Sequence, residues 1–338
     1  MEHRGWGQKF GLQNMCVPDR RPQAGVKPPT RASYADAVTT PKQEQAALVA
    51  LLRTRPNNLS WPDLMEEVVA AGSATEVWQR LVPATLLPPP GERDVLEAAV
   101  ADIATWRAQG LTFLTVLDAN YPARLRGIRQ APPVLFARGR LTVDDPAVSV
   151  VGSRKASDRG VSISSGVSQA LVQDGITVVA GLAAGIDTAA HRAALDAGGR
   201  TVAVIGTGIN RAYPATNKAL HEEIASRGLL LSQFWPDAPP QKHTFLVRNA
   251  TMSGYGLATV VVEAGEHSGA RAQARMAVEH GRPVILTDLV VERNEWARAL
   301  RGRPGVHVAA ALSEVVDIVR GLRESPEPFA ELRDLVSV

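Results

Sequence analysis

The chain has 338 residues, of which 45% are hydrophobic and 21% charged, a balance typical of a globular protein with one large core and room for a smaller domain. Its formal net charge of +3 excludes a polycation, so nucleic-acid binding would require basic residues gathered at one site. The single cysteine, Cys16, excludes an intrachain disulfide, and the chain begins without the apolar core of a signal peptide, which together predict a cytoplasmic protein.

The first third of the chain divides into a tail and a helical module. Residues 1–42 combine prolines with basic residues and lack an apolar period, which predicts a disordered basic tail. This tail is either simply solvated or adds non-specific affinity for nucleic acid. Residues 43–110 repeat apolar side chains at helical spacing between proline, glycine and asparagine breaks, which predicts a small helical domain.

Residues 111–322 predict an α/β domain, followed by a short C-terminal tail over 323–338. Apolar runs of strand length alternate with segments of helix length; the runs are 148–151, 176–180, 201–205, 229–231, 259–262, 284–286 and 306–308. Strands that are apolar on both faces and joined by helices are typical of a doubly wound, mostly parallel, Rossmann-like sheet with right-handed crossovers. Ligands of such sheets bind at the carboxyl ends of the strands, so we expect the site residues there.

The first predicted strand ends in Gly152, Ser153 and Arg154, shortly before a helix. Gly152 allows a tight turn, and Ser153 and Arg154 would project toward the helix N-terminus, where an anion is favoured. The guanidinium of Arg154 would add forked donors for a phosphate. These residues predict a phosphate-binding loop; a surface arginine that caps a loop is the alternative.

The next two strand ends argue against a catalytic histidine and against a nicotinamide cofactor. His191 follows two alanines within a helix, which favours a packed residue with a satisfied hydrogen bond. Gly206 and Gly208 begin a dinucleotide-binding motif, but Arg211 replaces its third glycine, and no acidic residue stands at the expected strand end.

After the fourth predicted strand, Lys242 and Arg248 stand on either side of Phe245, outside any predicted strand. Cations for the phosphates and a ring for one base are the combination that holds single-stranded nucleic acid. In the alternative interpretation, Phe245 and Leu246 fill the core while the two cations extend along the surface to solvent.

The fifth predicted strand ends at Glu263, and Ser268 and Gly269 open the next helix. Glu263 would orient backbone amides or contact a sugar, or it would anchor a loop. The sequence contains no Walker motif, no His-Glu-x-x-His and no Gly-x-Ser-x-Gly. We therefore predict a binding protein rather than an enzyme, with no catalytic residues, no cofactor and no metal.

The order of these motifs resembles the DprA/Smf family of DNA-processing proteins. The motifs are, in chain order, Tyr121-Pro122, Gly152-Ser153-Arg154, Gly181-Leu182-Ala183 with Gly185-Ile186-Asp187, Gly206-Thr207-Gly208 with Tyr213-Pro214, Phe245 with Arg248-Asn249, and Glu263-Ala264 with Ser268-Gly269. The similarity is close over residues 115–290 and extends loosely to 322. One such motif would be weak, but their shared order is specific.

The resemblance implies an extended Rossmann-like domain, preceded by a helical domain of sterile-alpha-motif type. It further implies single-stranded DNA bound in a basic pocket, a homodimer, and delivery of the strand to RecA during transformation or recombination. Arg154 matches the family's pocket arginine, Lys242 its pocket lysine and Phe245 the ring that stacks on a base. The predicted nucleic-acid-binding residues are Gly152, Ser153, Arg154, Lys242, Phe245, Arg248, Asn249, Ser268, Gly269 and Arg271.

Departures from the family pattern indicate a diverged member. Ala250 replaces a second arginine, Gln233 replaces a glutamate, and residues 270–274 replace a hydroxyl-bearing run with one that contains Arg271. Since the sequence ends at Val338, we expect a member without the C-terminal winged-helix domain of many relatives. Two other functions stay open: a DprA-like partner or antitoxin in a toxin or defence system, and a nucleotide-binding protein related to the LOG-type phosphoribohydrolases, whose glycine-rich motif this chain does not match.

Overall fold

The computed structural model describes residues 42–82 and 94–324. Its strands are β1 (Thr112–Thr115), β2 (Val134–Gly139), β3 (Ala147–Gly152), β4 (Thr177–Ala180), β5 (Thr201–Val204), β6 (Leu229–Ser232), β7 (Ala258–Glu263), β8 (Val284–Thr287) and β9 (Val306–Ala309). Its α-helices are α1 (Lys42–Thr54), α2 (Trp61–Ala71), α3 (Ala74–Leu81), α4 (Val95–Ala108), α5 (Ala123–Arg126), α6 (Asp158–Gln173), α7 (Ile186–Asp196), α8 (Lys218–Arg227), α9 (Lys242–Tyr255), α10 (Gly269–Glu279), α11 (Asp288–Arg293), α12 (Glu295–Leu300) and α13 (Leu312–Glu324).

The strands form one sheet in the order β1-β2-β6-β5-β4-β3-β7-β8-β9. β1 pairs antiparallel with β2, and β2 with β6, whereas the pairs from β6 to β9 are parallel. The predicted α/β fold with a mostly parallel, doubly wound sheet is therefore confirmed. The predicted strands correspond to β3–β9, within one residue at each end. The sequence analysis did not assign β1 and β2, which extend the sheet on one side.

The sheet changes its winding direction at β3. From β3 the chain proceeds through β4 and β5 to β6 on one side, and then returns to β7 on the other side of β3. The carboxyl ends of β3–β9 lie along one edge of the sheet, which we call the carboxyl edge. The loops that follow β3, β4 and β5 leave the sheet there, which is where doubly wound sheets bind ligands.

Consecutive strand residues alternate between two cores, as the period of a β-strand requires. Val151 and Val179 belong to the core beneath α9 and α10. Their neighbours Val150 and Val178 belong to the opposite core, beneath α6 and α7. Each central strand is therefore apolar on both faces, which explains why the strands were recognisable as continuous apolar runs.

Helices α1–α4 pack on the face of the sheet near β1 and β2. Trp106 of α4 lies, between ring centroids, 5.2 Å from Phe113, 4.9 Å from Phe136 and 5.9 Å from Trp235. Trp61 of α2 contacts Trp235 as well, at 5.9 Å. These rings join the helices and the sheet in one hydrophobic core. That the helices form a domain of their own stays a prediction.

The predicted tails lie outside the described residues, except that α1 begins at Lys42 and α13 extends to Glu324. Across the ranges that the structure describes, no helix is both long and apolar enough to cross a membrane.

Candidate nucleic-acid interface

A cavity of about 120 Å³ opens at the carboxyl edge. Its chemically distinctive lining residues are Arg154 after β3, Tyr213 after β5, and Phe245 and Arg248 on α9. Gly181, Ala183 and Ala184 of the loop after β4, together with Pro214, complete the wall. The structure therefore brings together three of the predicted site residues, Arg154, Phe245 and Arg248, although they are separated by up to 94 positions in the sequence.

Two glycines at the strand ends allow α9 to lie across the carboxyl edge. A Cβ atom on Gly206 would stand 2.5 Å from Cδ1 of Phe245, and one on Gly181 would overlap the guanidinium of Arg248. Phe245 and Arg248 are three residues apart and so share one face of the helix. These glycines are needed for close approach, because any larger residue would push the two side chains out of the pocket.

Arg248 is buried, with 6% of its surface exposed. Its Nη1 donates to the carbonyl of Val204 over 2.7 Å, and Nε has no hydrogen-bond partner among the described residues. Burial lowers the pKa of Arg248 to about 10, and the carboxylate of Asp187 opposes that shift. The guanidinium therefore remains charged at neutral pH and gives the pocket a fixed positive wall.

Asp187, at the start of α7, is buried and interacts electrostatically with Arg248. Its Oδ2 accepts hydrogen bonds from the amides of Gly181 at 3.0 Å and Ala183 at 3.4 Å. Burial raises the pKa of Asp187, and the positive charge of Arg248 opposes that rise. Asp187 and Arg248 together fix the loop after β4 against α9.

Phe245 is half-buried and stands between a cation and a second ring. The guanidinium carbon of Arg154 lies 5.6 Å from the centroid of the Phe245 ring, within cation–π range. The centroid of Tyr213 lies 5.4 Å away, with the two rings tilted by 41°. Leu246, which the alternative interpretation placed in the core, is 52% exposed, and Arg248, which it placed at the surface, is buried. The core-filling alternative is therefore wrong for both residues.

The N-terminus of α6 does not offer the open anion site that the sequence suggested. The Oε2 atom of Glu263 accepts hydrogen bonds from the backbone amide and the hydroxyl of Ser157, at 2.9 Å and 3.0 Å. A carboxylate therefore already lies against the first turn of this helix, where it would repel a phosphate. Of the roles considered for Glu263, the structure shows the anchoring one, and the positive charge of this loop comes from Arg154 instead.

The other predicted residues do not line the cavity. Lys242 is exposed in the first turn of α9, Gly152 is the last residue of β3, and Ser153 lies between it and Arg154. Asn249 is buried and donates from Nδ2 to the carbonyl of Gly269 over 3.4 Å. Ser268 caps α10 by accepting from the amide of Arg271, whose side chain is exposed and donates to the Glu266 carbonyl. Their roles in binding stay predictions.

Sequence reasoning missed Tyr213 as a pocket residue. The sequence placed Tyr213 and Pro214 only in a family motif, and the ring of Tyr213 lines the cavity beside Phe245. The available signal was an aromatic residue in a loop at the carboxyl end of a predicted strand, where ligands bind.

His191 is a packed residue, as predicted, and not a pocket residue. It is fully buried, and its Nδ1 lies 2.7 Å from the hydroxyl of Thr201, which itself donates to the carbonyl of Val178. The Thr201 oxygen must therefore accept, so the neutral imidazole carries its proton on Nδ1. Nε2 has no partner among the described residues. Burial, followed by the positive charge of Arg248, lowers the pKa of His191 from 6.5 to about 3.

We expect His191 to make the protein sensitive to mild acid. The unfolded chain takes up a proton on this histidine near pH 6.5 and the folded chain only near pH 3, so stability is lost as the pH falls between these values. At about pH 5 the loss is about 2 kcal/mol. In His191→Asn, the Nδ2 of asparagine can take the place of Nδ1 of the histidine. Between about pH 7.5 and about pH 5, the free energy of unfolding of this variant should fall by about 2 kcal/mol less than that of the wild type, as measured by denaturant titration. Equal losses in both proteins would contradict the assignment.

Fold and site together define a Rossmann-like protein with a basic and aromatic pocket at the carboxyl edge of its sheet. The family model for DNA recombination-mediator protein A matches residues 112–318, more than half of the chain. The chain belongs to this family, which confirms the resemblance to DprA/Smf.

Known relatives agree with this assignment. Protein Smf of Synechocystis is 43% identical over 178 residues, which cover 51% of this chain and 45% of that protein. The chain thus spans about half the length of that relative. The crystal structure of DNA processing protein A from Streptococcus pneumoniae superposes with a TM-score of 0.60 at 29% identity, over 82% of this chain and 95% of that one. DNA processing protein A from Helicobacter pylori superposes with a TM-score of 0.56 at 21% identity, over 62% and 96%, and so shares the fold.

Proposed function

We propose that the cavity at the carboxyl edge binds single-stranded DNA. The convergence of Arg154, Arg248 and Phe245 on one pocket carries this proposal. A guanidinium suits a phosphate and a ring suits a nucleobase, and binding sites for single strands combine the two. The structure of the Helicobacter pylori relative was determined to describe how that protein binds single-stranded DNA, which supports the same ligand here.

The arrangement favours a single strand over a duplex. The guanidinium of Arg154 stands within 5.6 Å of the Phe245 ring, so one nucleotide can place its phosphate and its base against neighbouring groups. A base can reach a ring in a pocket only after it has left its own stack, and a duplex resists that by its pairing and stacking. The exposed Lys242, in the first turn of α9, extends the positive surface to the next phosphate.

We further propose a role in binding rather than in catalysis. Glu263 is committed to Ser157 and to an ion pair with Arg293 at 3.5 Å, so this carboxylate is held as part of the scaffold. Family membership alone supports delivery of the strand to RecA and assembly as a homodimer, and we include both in the proposal. Release of a free base from nucleoside monophosphates by the purified chain would contradict the non-catalytic role.

The salt dependence of binding tests the phosphate contacts. For about three neutralised phosphates, the slope of log affinity against log salt concentration should be near −2, because each contributes roughly −0.7 on a single strand. Arg154→Ala should weaken oligo-dT binding about tenfold and reduce the magnitude of the slope by about 0.7. Fluorescence anisotropy with labelled oligo-dT at several salt concentrations measures both quantities.

Arg320→Ala provides the matched control. Arg320 pairs with Asp174 at the opposite edge of the sheet, over 2.7 Å, so its removal should leave both affinity and slope unchanged. A wild-type affinity that does not respond to salt, or tighter binding to duplex DNA or to mononucleotides, would overturn the proposed function.

A further inference from the structure

Tyr213 presents an accessible ring at the mouth of the pocket. Its side chain lies in the loop between β5 and α8 and exposes 43% of its surface. Its hydroxyl makes no hydrogen bond within the described part of the chain, so both the ring face and the hydroxyl are available to a ligand. An aromatic side chain left in water beside a basic pocket is a candidate surface for a nucleobase.

Phe245 is less accessible than its neighbour. Its ring rests on the backbone of Gly206, where even a single added methyl group would collide with it. The guanidinium of Arg154 lies over the ring at 5.6 Å, and Tyr213 stands at 5.4 Å. A base that enters the pocket therefore meets Tyr213 first, and the less accessible Phe245 ring lies next to it.

The backbone on both sides of Tyr213 is held in place. Upstream, the hydroxyl of Thr207 donates to the carbonyl of Arg211 over 2.7 Å, and Nε of Arg211 donates to the carbonyl of Asp237 over 3.1 Å. Downstream, Nδ2 of Asn217 donates to the carbonyl of Leu182 over 3.0 Å. A ring held by a fixed backbone loses little conformational freedom when a ligand arrives, which favours binding.

We propose that Tyr213 is a base-stacking residue of the strand-binding site. This inference rests on the proposed function and extends it, because it divides the site between a phosphate-binding side and a base-binding side. Arg154 and Arg248 hold a phosphate, while Tyr213 adds a second ring, beside Phe245, to the side of the pocket that holds bases. The hydroxyl of Tyr213 is free to bond to the edge of that base.

DNA oligonucleotides with and without bases test whether Tyr213 stacks on a base. We compare oligo-dT with an abasic oligonucleotide of the same length, which has the same phosphates and no base. Tyr213→Ala should weaken binding of oligo-dT at least about fivefold, the lower end of the range for one base–ring stack. The same substitution should leave abasic-strand binding within about twofold of wild type, whereas Arg154→Ala should weaken the binding of both strands. Tyr213→Phe should retain most of the affinity for oligo-dT, and Tyr213→Leu, which keeps an apolar side chain without a ring, should lose it.

Each outcome either supports or overturns the inference. Tyr213 is exposed, so the melting temperatures of these variants should match that of the wild type. If Tyr213→Ala weakens both strands equally, the residue acts only through the shape of the pocket and the inference is wrong. If Tyr213→Ala binds oligo-dT as the wild type does, the ring carries no base, although the proposed function stands. If the wild type binds no single strand at all, the proposed function itself fails, and this inference with it.

Discussion

Phe245→Ala should weaken binding of oligo-dT by about 30- to 150-fold, the upper half of the range for the loss of one base–aromatic contact. The effect should be large because the ring also supports its neighbours: Arg154 lies over it, and Tyr213 leans against it. The salt slope should hardly change, since an aromatic contact releases no counterions. Anisotropy titrations across a salt series measure affinity and slope together.

The stability of the same variant checks that the loss is local. Phe245 is only half-buried, so its truncation should cost about 1–2 kcal/mol, well below the ~3–5 kcal/mol of a fully buried phenylalanine. Leu246→Ala serves as the control, because Leu246 is adjacent, 52% exposed and absent from the cavity wall. A fall in melting temperature of more than about 10 °C, with normal DNA affinity in the folded fraction, would show that Phe245 is a core residue.

Arg248→Met should destabilise the fold by about 3–5 kcal/mol, because it leaves the carboxylate of Asp187 buried without its cation. It should also remove the fixed positive charge of the pocket, so the remaining folded protein should bind oligo-dT poorly. Urea unfolding followed by circular dichroism gives the stability, and the titration is repeated below the unfolding transition.

A double substitution separates the charge effect from the loss of packing. Asp187→Asn keeps an oxygen that can accept from the amides of Gly181 and Ala183 but removes the unpaired charge. In the Arg248→Met background it should restore about 1–3 kcal/mol of stability without restoring DNA binding. Arg192→Met, at an exposed arginine on the same helix as Asp187, should be neutral in both measurements. Equal stability of Arg248→Met and the wild type would contradict the electrostatic coupling between Arg248 and Asp187.

The central sheet could be predicted because its strands are apolar on both faces. Runs such as those at Val150 and Val178 lie between two helical layers. Because both faces of these strands are buried, every residue of the run is apolar or small. β1 and β2 carry a weaker signal. β1 is a four-residue edge strand that begins at the exposed Thr112, and both strands run antiparallel to their neighbours, outside the strand–helix alternation.

The pocket could be predicted only in part. Arg154 and Phe245 carry local signals, a turn at a strand end and a ring among cations. The burial of Arg248 has no such signal, because it depends on the carbonyl of Val204, the missing side chain of Gly181 and the carboxylate of Asp187, all distant in the sequence. Pattern reasoning assigns a lone arginine on a helix to the surface, and only the assembled fold shows what compensates its burial.

Trp235 connects the N-terminal helices to a loop of the pocket. Its indole packs against Trp61 and Trp106. The carbonyls of the nearby Pro236 and Ala238 accept hydrogen bonds from the amides of Asn210 and Gly208, in the loop that carries Tyr213. If the helices moved away from the sheet, this aromatic contact would be exposed to water. Trp61 and Trp106 thus help to position the loop that carries Tyr213, more than a hundred residues further along the chain.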